Sequence, residues 1–127
     1  MLLKNLIKNT PNKKNIIISG LATNSKKVKK NYIFFAIKGN MLNGENFIKD
    51  AVKRGASVVI CSTNCKFVNK DIIVIKTNNL RNIISEISSR FYKQKPKNII
   101  AVTGTNGKTS VADFFYQILK LNNIPVA

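Results

Sequence analysis

Histidine is absent from these 127 residues, cysteine occurs twice, and only five acidic residues stand against 22 basic ones. A structural zinc site wants four ligands, and Cys61 and Cys65, spaced C-x3-C with no histidine anywhere, supply two. The pair therefore reads as small buried hydrophobes in a reducing compartment, with no disulfide expected. Long apolar runs are lacking as well. Stretches such as 16–18 and 33–37 are strand-sized, far short of the roughly 20 residues that a membrane span needs. The opening Met1-Leu2-Leu3-Lys4 is not a basic-then-apolar export signal, so a cytoplasmic protein without a membrane partner is expected.

What is plentiful is positive charge, a formal +17. Clustered lysines can bind phosphate backbones by releasing counterions. Yet the basic residues are 19 Lys and only 3 Arg, and readers of phosphate and base edges lean on Arg. Lys, Asn and Ile together make 55 of the 127 residues, a composition that AT-rich codons favour. The aromatics fall mostly at core positions and do not form stacking platforms. Coding drift accounts for the lysines, and no specific nucleic-acid partner is expected, although the charge helps any anionic substrate approach.

A hydrophobic content of 44% is that of a globular protein, and the length suits one ordinary domain but not two of typical size. Leu2, Leu3, Leu6 and Ile7 recur at helical spacing and predict a short helix. Residues 15–19 read as a first strand. The almost unbroken apolar run Tyr32-Ile33-Phe34-Phe35-Ala36-Ile37 reads as a strand covered on both faces. A loop with a glycine near each end, Gly39 and Gly44, follows it. Next comes a helix with Phe47, Ile48, Ala51 and Val52 on one face and Gly55 as its C-terminal cap. Residues 57–61 and 71–75 are further strands. Asn78 or Asn79 can cap a longer helix whose core face is Leu80, Ile84, Ile87 and Phe91.

Residues 93–97 form a short basic linker holding Pro96, which divides the chain into 1–95 and 96–127. Beyond it lie a buried strand at 98–102, a loop at 103–108 and a helix with Val111, Phe114, Phe115, Ile118 and Leu119 inward. Pro125-Val126-Ala127 looks like the start of another strand. Alternating strands and helices predict an α/β fold. One strand and one helix cannot complete a parallel sheet, so the second domain is expected to be incomplete.

The segment that carries chemistry is Val102-Thr103-Gly104-Thr105-Asn106-Gly107-Lys108-Thr109-Ser110. A glycine-containing loop between a buried strand and a helix start lets backbone N–H groups converge on a phosphate, aided by the helix dipole. Lys108 would reach the β- and γ-phosphates of ATP, and the Thr109 hydroxyl would ligate Mg²⁺. The usual P-loop has glycine six positions before the lysine, where this chain has Val102. A glycine turn that merely caps a helix, with Lys108 solvated, is the plain alternative. Strand, loop, Gly-Lys-Thr and amphipathic helix in that order favour phosphate binding.

Residues 103–110 resemble the ATP loop of the Mur ligases, which is shifted from the usual P-loop in the same way. The resemblance runs back through Leu21-Ala22-Thr23-Asn24-Ser25-Lys26-Lys27-Val28, Ile33-Phe34-Phe35-Ala36-Ile37-Lys38-Gly39 and Asn43-Gly44-Glu45-Asn46-Phe47-Ile48. Those blocks are similar to the family's N-terminal domain, which grips a UDP-sugar. Ser89-Arg90-Phe91-Tyr92 is similar to the E-type branch. The resemblance implies a UDP-sugar-binding α/β domain followed by the first β-α unit of a P-loop ATPase domain. It implies ATP-dependent activation of a substrate carboxylate as an acyl phosphate, which an amine attacks to form an amide. For the E-type the acceptor is UDP-N-acetylmuramoyl-L-alanyl-D-glutamate, and the amine is diaminopimelate or lysine.

By the family's motif Thr23, Ser25, Asn40, Met41 and Leu42 would contact the UDP-sugar. Gly104, Thr105, Asn106, Gly107, Lys108, Thr109 and Ser110 would hold ATP, with Lys108 catalytic and Thr109 on the metal. Asn24-Ser25-Lys26 stands where the family usually has Asp-Ser-Arg, which implies a lost or altered ion pair. The family's residues for the second metal, the glutamyl end and the amino-acid substrate would fall beyond Ala127, so these residues alone are expected to be inactive. The F-type ligase shares the N-terminal style but more often has serine at Thr105. A folate-polyglutamating ligase typically has glycine after the lysine, not Thr109. A module that binds UDP-sugar or nucleotide without turnover is the remaining alternative.

Overall fold

The computed structural model describes residues 1–7, 15–39, 42–94 and 96–126. It divides into two compact units, Met1–Lys93 and Gln94–Ala127. In the first unit, four strands form one parallel sheet in the order β1 (Gly20–Ala22), β2 (Tyr32–Phe35), β3 (Ala56–Ser62) and β4 (Ile73–Thr77). Parallel neighbours need a crossover between them, and each crossover here is short. A 3-10 turn at Ser25–Lys27 joins β1 to β2, and a second at Gly44–Phe47 leads into helix α2 (Ile48–Lys53) before β3. Gly55, with φ +106°, closes α2 as expected of a C-terminal glycine.

The period of a strand sorts its side chains onto two faces, and both faces are buried. Phe34, Val59 and Cys61 point to the side covered by Val28, Ile48, Ala51 and Cys65, which lie in the connections. Ile33, Phe35, Val58 and Ile60 point to the other side, covered by helices α1 (Leu3–Leu6) and α3 (Leu80–Phe91) through Leu3, Leu6 and Ile87. The apolar run at 32–37 thus has the two-sided cover expected of it. Arg90 ties the two helices, its guanidinium donating to the Leu6 carbonyl at 2.6 Å. Both thiols are free and buried.

Residues 15–19 are not a sheet strand. Ile17 makes a single antiparallel bridge with Leu2, and Ile18 N–H donates to Met1 O at 2.7 Å, so this segment pairs with the chain start. The sheet begins at Gly20 instead, which pairs with Tyr32. Phe47 also departs from expectation: it is 40% exposed and off the core face.

The second unit contains one helix, α4 (Lys108–Leu121). The buried strand expected at 98–102 is absent, and Ile99 and Ile100 are 80% and 61% exposed. A strand exists by virtue of a neighbour that takes its N–H and C=O groups, and none pairs with this segment among the described residues. The same reason overturns the inward face of α4, where Val111, Phe114, Phe115 and Ile118 are all exposed. Residues 124–126 form no strand, and Ala127 lies outside the described residues.

Candidate functional site

Parallel α/β sheets present their ligand sites at the carboxyl ends of the strands. In the first unit the segments leaving those ends are 23–25 after β1, 36–44 after β2, Thr63 after β3 and Asn78 after β4. Thr23, Ser25 and Leu42 lie on the first two of these segments, which belong to adjacent strands. Asn40 and Met41 lie outside the described residues.

These sites differ in what their side chains can offer. Thr23 is exposed. Ser25 is buried at 5% exposure, and its hydroxyl hydrogen-bonds the Asp50 carboxylate on α2. That bond is the main reason the Asp50 carboxyl sits below its ordinary value of 3.8, with Arg54 and Lys53 adding to the effect against the cost of burial. Arg54 Nε donates to both Asp50 oxygens, at 3.0 and 3.1 Å. Asn24, beside it, caps the 3-10 turn by accepting from Lys26 N–H at 2.9 Å. Asn24 and Lys26 thus present a capping amide and an exposed lysine, and the ion pair nearest Ser25 comes from α2.

After β2, residues 37–39 and 42–44 brace one another. Gly44 N–H donates to Ile37 O at 2.8 Å and Gly39 N–H to Leu42 O at 2.9 Å, while Lys38 and Asn43 form an antiparallel bridge. A Cβ on Gly44 would lie 2.5 Å from Ile37 O, so only glycine lets the two backbones approach this closely. Leu42 emerges from this brace 68% exposed, an apolar side chain held out to solvent on a fixed base. Two polar contacts here escape sequence reasoning. Ser62 Oγ donates to Glu45 Oε1 at 2.6 Å, and Thr63 Oγ1 donates to Asn78 Oδ1. The signal was a carboxylate directly after Asn43-Gly44 in a chain short of carboxylates, but its partner lies 17 residues away.

In the second unit, the loop 103–107 leads into α4 with Gly104 at φ +150° and Gly107, the residue before the helix, at φ +73°. The left-handed Gly107 aims the following N–H groups along the helix axis, and nothing lies within 4 Å of where its Cβ would be. Val111 N–H is the first to return to the loop, donating to Gly107 O at 3.0 Å, so the N–H groups of Lys108, Thr109 and Ser110 have no acceptor within the helix. The first turn of α4 contains no acid. Thr105, Asn106, Thr109 and Ser110 are exposed. Lys108 Nζ folds back onto the loop, donating to Gly104 O and to Thr105 O at 3.1 Å. This cradle suits an anion: converging N–H groups, an uncompensated helix dipole and one ammonium. Among the described residues no cluster of three metal-ligating side chains occurs, so a cation here would depend on the Thr109 hydroxyl and on oxygens of the anion itself.

Comparison with known proteins covers both units. The sequence profile described as "Mur ligase family, catalytic domain" matches residues 17–92, which lie within the first unit. The UDP-N-acetylmuramoyl-L-alanyl-D-glutamate--2,6-diaminopimelate ligase of Rickettsia prowazekii is 45% identical over 85% of this chain and 22% of its own length. The UDP-N-acetylmuramyl-tripeptide synthetase of Borrelia garinii is 35% identical over 97% of this chain and 25% of its own. Among solved structures, the MurF ligase from Thermotoga maritima in complex with ADP matches 84% of this chain and 24% of that one, with a TM-score of 0.65 and 27% identity. A UDP-N-acetylmuramoyl-L-alanyl-D-glutamate--2,6-diaminopimelate ligase structure matches 97% of this chain and 26% of that one, with a TM-score of 0.69. Its 22% identity speaks to the fold alone. The chain spans about a fifth of the length of the first curated relatives it matches.

Proposed function

This chain belongs to the Mur ligase family, and from that premise we propose that it supplies two working parts of an ATP-dependent ligase of peptidoglycan synthesis. The reaction is addition of the third amino acid to UDP-N-acetylmuramoyl-L-alanyl-D-glutamate, in the cytoplasm. The observation that carries this reading is the 43–45% identity, across four-fifths of the chain, to relatives named for that step. The F-type alternative rests on lower identity, 27% to the Thermotoga maritima enzyme.

In this reading residues 1–95 form the UDP-sugar-binding domain and residues 96–127 the opening of the ATP-binding domain. Thr23, Ser25 and the loop 40–42 grip the uridine diphosphate sugar. A threonine hydroxyl and a braced apolar leucine suit the polar and flat faces of such a ligand, while Ser25, turned to Asp50, fixes the segment after β1. Bound ATP with Mg²⁺ supplies the phosphoryl group that makes the substrate carboxylate reactive toward an amine. The chain's own share is to cradle phosphate oxygens with the N–H groups of residues 107–110 and to neutralise their charge with Lys108, released from the carbonyls of Gly104 and Thr105. Thr109 offers its hydroxyl to the cation. Among the described residues no strand pairs with the backbone at 98–102, and flanking strands are what would hold such a cradle rigid.

Calorimetry of the chain with UDP-N-acetylmuramoyl-L-alanyl-D-glutamate and with Mg·ATP tests the reading. The UDP-sugar is expected to bind more tightly than ATP, with no amide formed by these residues alone. Micromolar ATP affinity without UDP-sugar binding, or amide formation by the chain, would overturn it.

A further inference from the structure

Glu45 stands out in this chain: a half-buried carboxylate in a protein of net charge +17 that forms no ion pair among the described residues. Its recorded side-chain partner is neutral. Ser62 Oγ, at the carboxyl end of β3, donates to Glu45 Oε1 at 2.6 Å. A hydroxyl donating to a carboxylate makes a charge-assisted bond, short and roughly twice as strong as a neutral one. Glu45 is also held at its backbone, where its N–H donates to Asn43 Oδ1 at 3.1 Å. It therefore sits at the end of the braced loop with one contact into the loop and one into the neighbouring strand.

We propose that Glu45 is a positioning residue, whose carboxylate, anchored on Ser62, sets Leu42, Asn43 and Gly44 in place for the UDP-sugar. The inference rests on the proposed function and adds to it a specific support. Without that tether Gly44 and Gly39 keep their bonds to Ile37 and Leu42, but residues 42–44 lose the side-chain hold on β3 that Glu45 gives them. A ligand group displaced by a fraction of an ångström loses contacts without any loss of fold.

The test is calorimetry of UDP-N-acetylmuramoyl-L-alanyl-D-glutamate with the full chain and its variants, with thermal melting in parallel. Glu45→Ala and Ser62→Ala should each raise Kd about 3- to 10-fold, and the double variant should be no worse than either single, because both remove one contact. Glu45→Gln keeps an acceptor oxygen facing Ser62 and should restore Kd to within about 2-fold of wild type. A merely structural role would lower the melting temperature of all three variants and leave the Kd ratio of Glu45→Gln to Glu45→Ala near one. If wild type binds and both alanine variants bind equally well, the positioning role is wrong while the proposed function stands. If Glu45→Ala weakens binding and Ser62→Ala does not, Glu45 touches the ligand itself, and the tether is again wrong. Wild type that binds no UDP-sugar removes the proposed function and this inference together. Should Glu45→Ala fail to fold, Ser62→Ala, which deletes a single hydroxyl, decides alone.

Discussion

Phe34 and Phe114 are the same side chain in opposite circumstances. Phe34, on β2, is 1% exposed between a sheet neighbour and α2, whereas Phe114, on α4, is 63% exposed. Both belong to regular apolar patterns that predict a buried face, and only the first has one. What separates them is the presence of something to bury it. β2 has a hydrogen-bonded strand on each side and covered faces above and below, while α4 and the segment before it have no sheet among the described residues. An amphipathic pattern states a demand, and only neighbours meet it. The same contrast separates the two candidate sites: the segments after β1 and β2 grow from paired strands, while residues 103–107 follow backbone that pairs with no strand among the described residues.

The largest effect expected from this division is on chemistry. In a full-length ligase carrying this sequence, Lys108→Ala should cut amide formation by roughly 10³-fold or more, the scale on which phosphoryl-transfer enzymes lose rate when a charge-stabilising group is removed. The Kd for the UDP-sugar should stay within about 2-fold, since Lys108 lies in the other unit. Rate measured by product formation and Kd by calorimetry separate the two. Equal damage to both would mean that the loops do not divide the work as proposed.

Stability gives the next test. Phe34→Ala should cost the chain about 3–5 kcal/mol, the usual range for emptying a packed aromatic site. Phe114→Ala should cost less than about 0.5 kcal/mol, as exposed substitutions do. Chemical denaturation of both variants measures the gap, and a large loss from Phe114→Ala would reveal cover over α4.

Thiol chemistry probes the same closure on a smaller scale. Burial pushes the Cys61 thiol up to about 12, with a hydrogen bond and charge from Cys65 and the charge of Glu45 adding to it against Lys76. The raised value means that Cys61 favours folding below its ordinary pKa of 9.0 and loses that contribution as pH climbs from there toward about 12. At pH 8 native Cys61 should react with iodoacetamide at least roughly 100-fold more slowly than in denaturant, because the thiolate is the reactive form. A cysteine placed by Phe114→Cys should react at nearly the same rate in both. Fast native alkylation of Cys61 would show that the sheet opens readily.

Much of the first unit was legible because its signals are local. The doubly apolar run at β2, the Gly55 cap and the face of α3 each follow from the period of a few residues. Residues 15–19 misled for an equally physical reason. Ile16, Ile17 and Ile18 have strand propensity, but the Leu2 bridge takes the segment before the sheet can, and that pairing is not encoded within the segment itself. The glycine turn into α4 was legible down to Gly107, whereas the strand before it was read from propensity and fails for want of a neighbour. In the segment after β1, Ser25 was singled out by its motif, and the structure buries it beside α2. Its partner Asp50 and the Glu45–Ser62 tether were not singled out, because each joins residues distant in sequence.

The smallest expected effect concerns Ser25 and acid. The Asp50 carboxyl lies below its ordinary 3.8, first because the Ser25 hydroxyl bonds it and then because Arg54 bonds and attracts it. A group whose folded pKa is depressed stabilises fully above its unfolded value and loses that contribution as pH falls through the folded one. The contribution of Asp50 to the melting temperature should therefore be complete and independent of pH between pH 5 and 7, and be lost progressively below about pH 4. Other carboxylates titrate nearby, so the informative quantity is the difference between wild type and Asp50→Asn across that range. It should shrink as the pH drops. Ser25→Ala, which removes the leading cause, should shrink it more than Arg54→Gln. Added salt separates the causes further, since it screens the exposed Arg54 charge but leaves a hydroxyl hydrogen bond intact. A difference that vanished in high salt would assign the depression to Arg54. Ser25 would then be left without its hold on α2, and only its proposed part in gripping the ligand would remain.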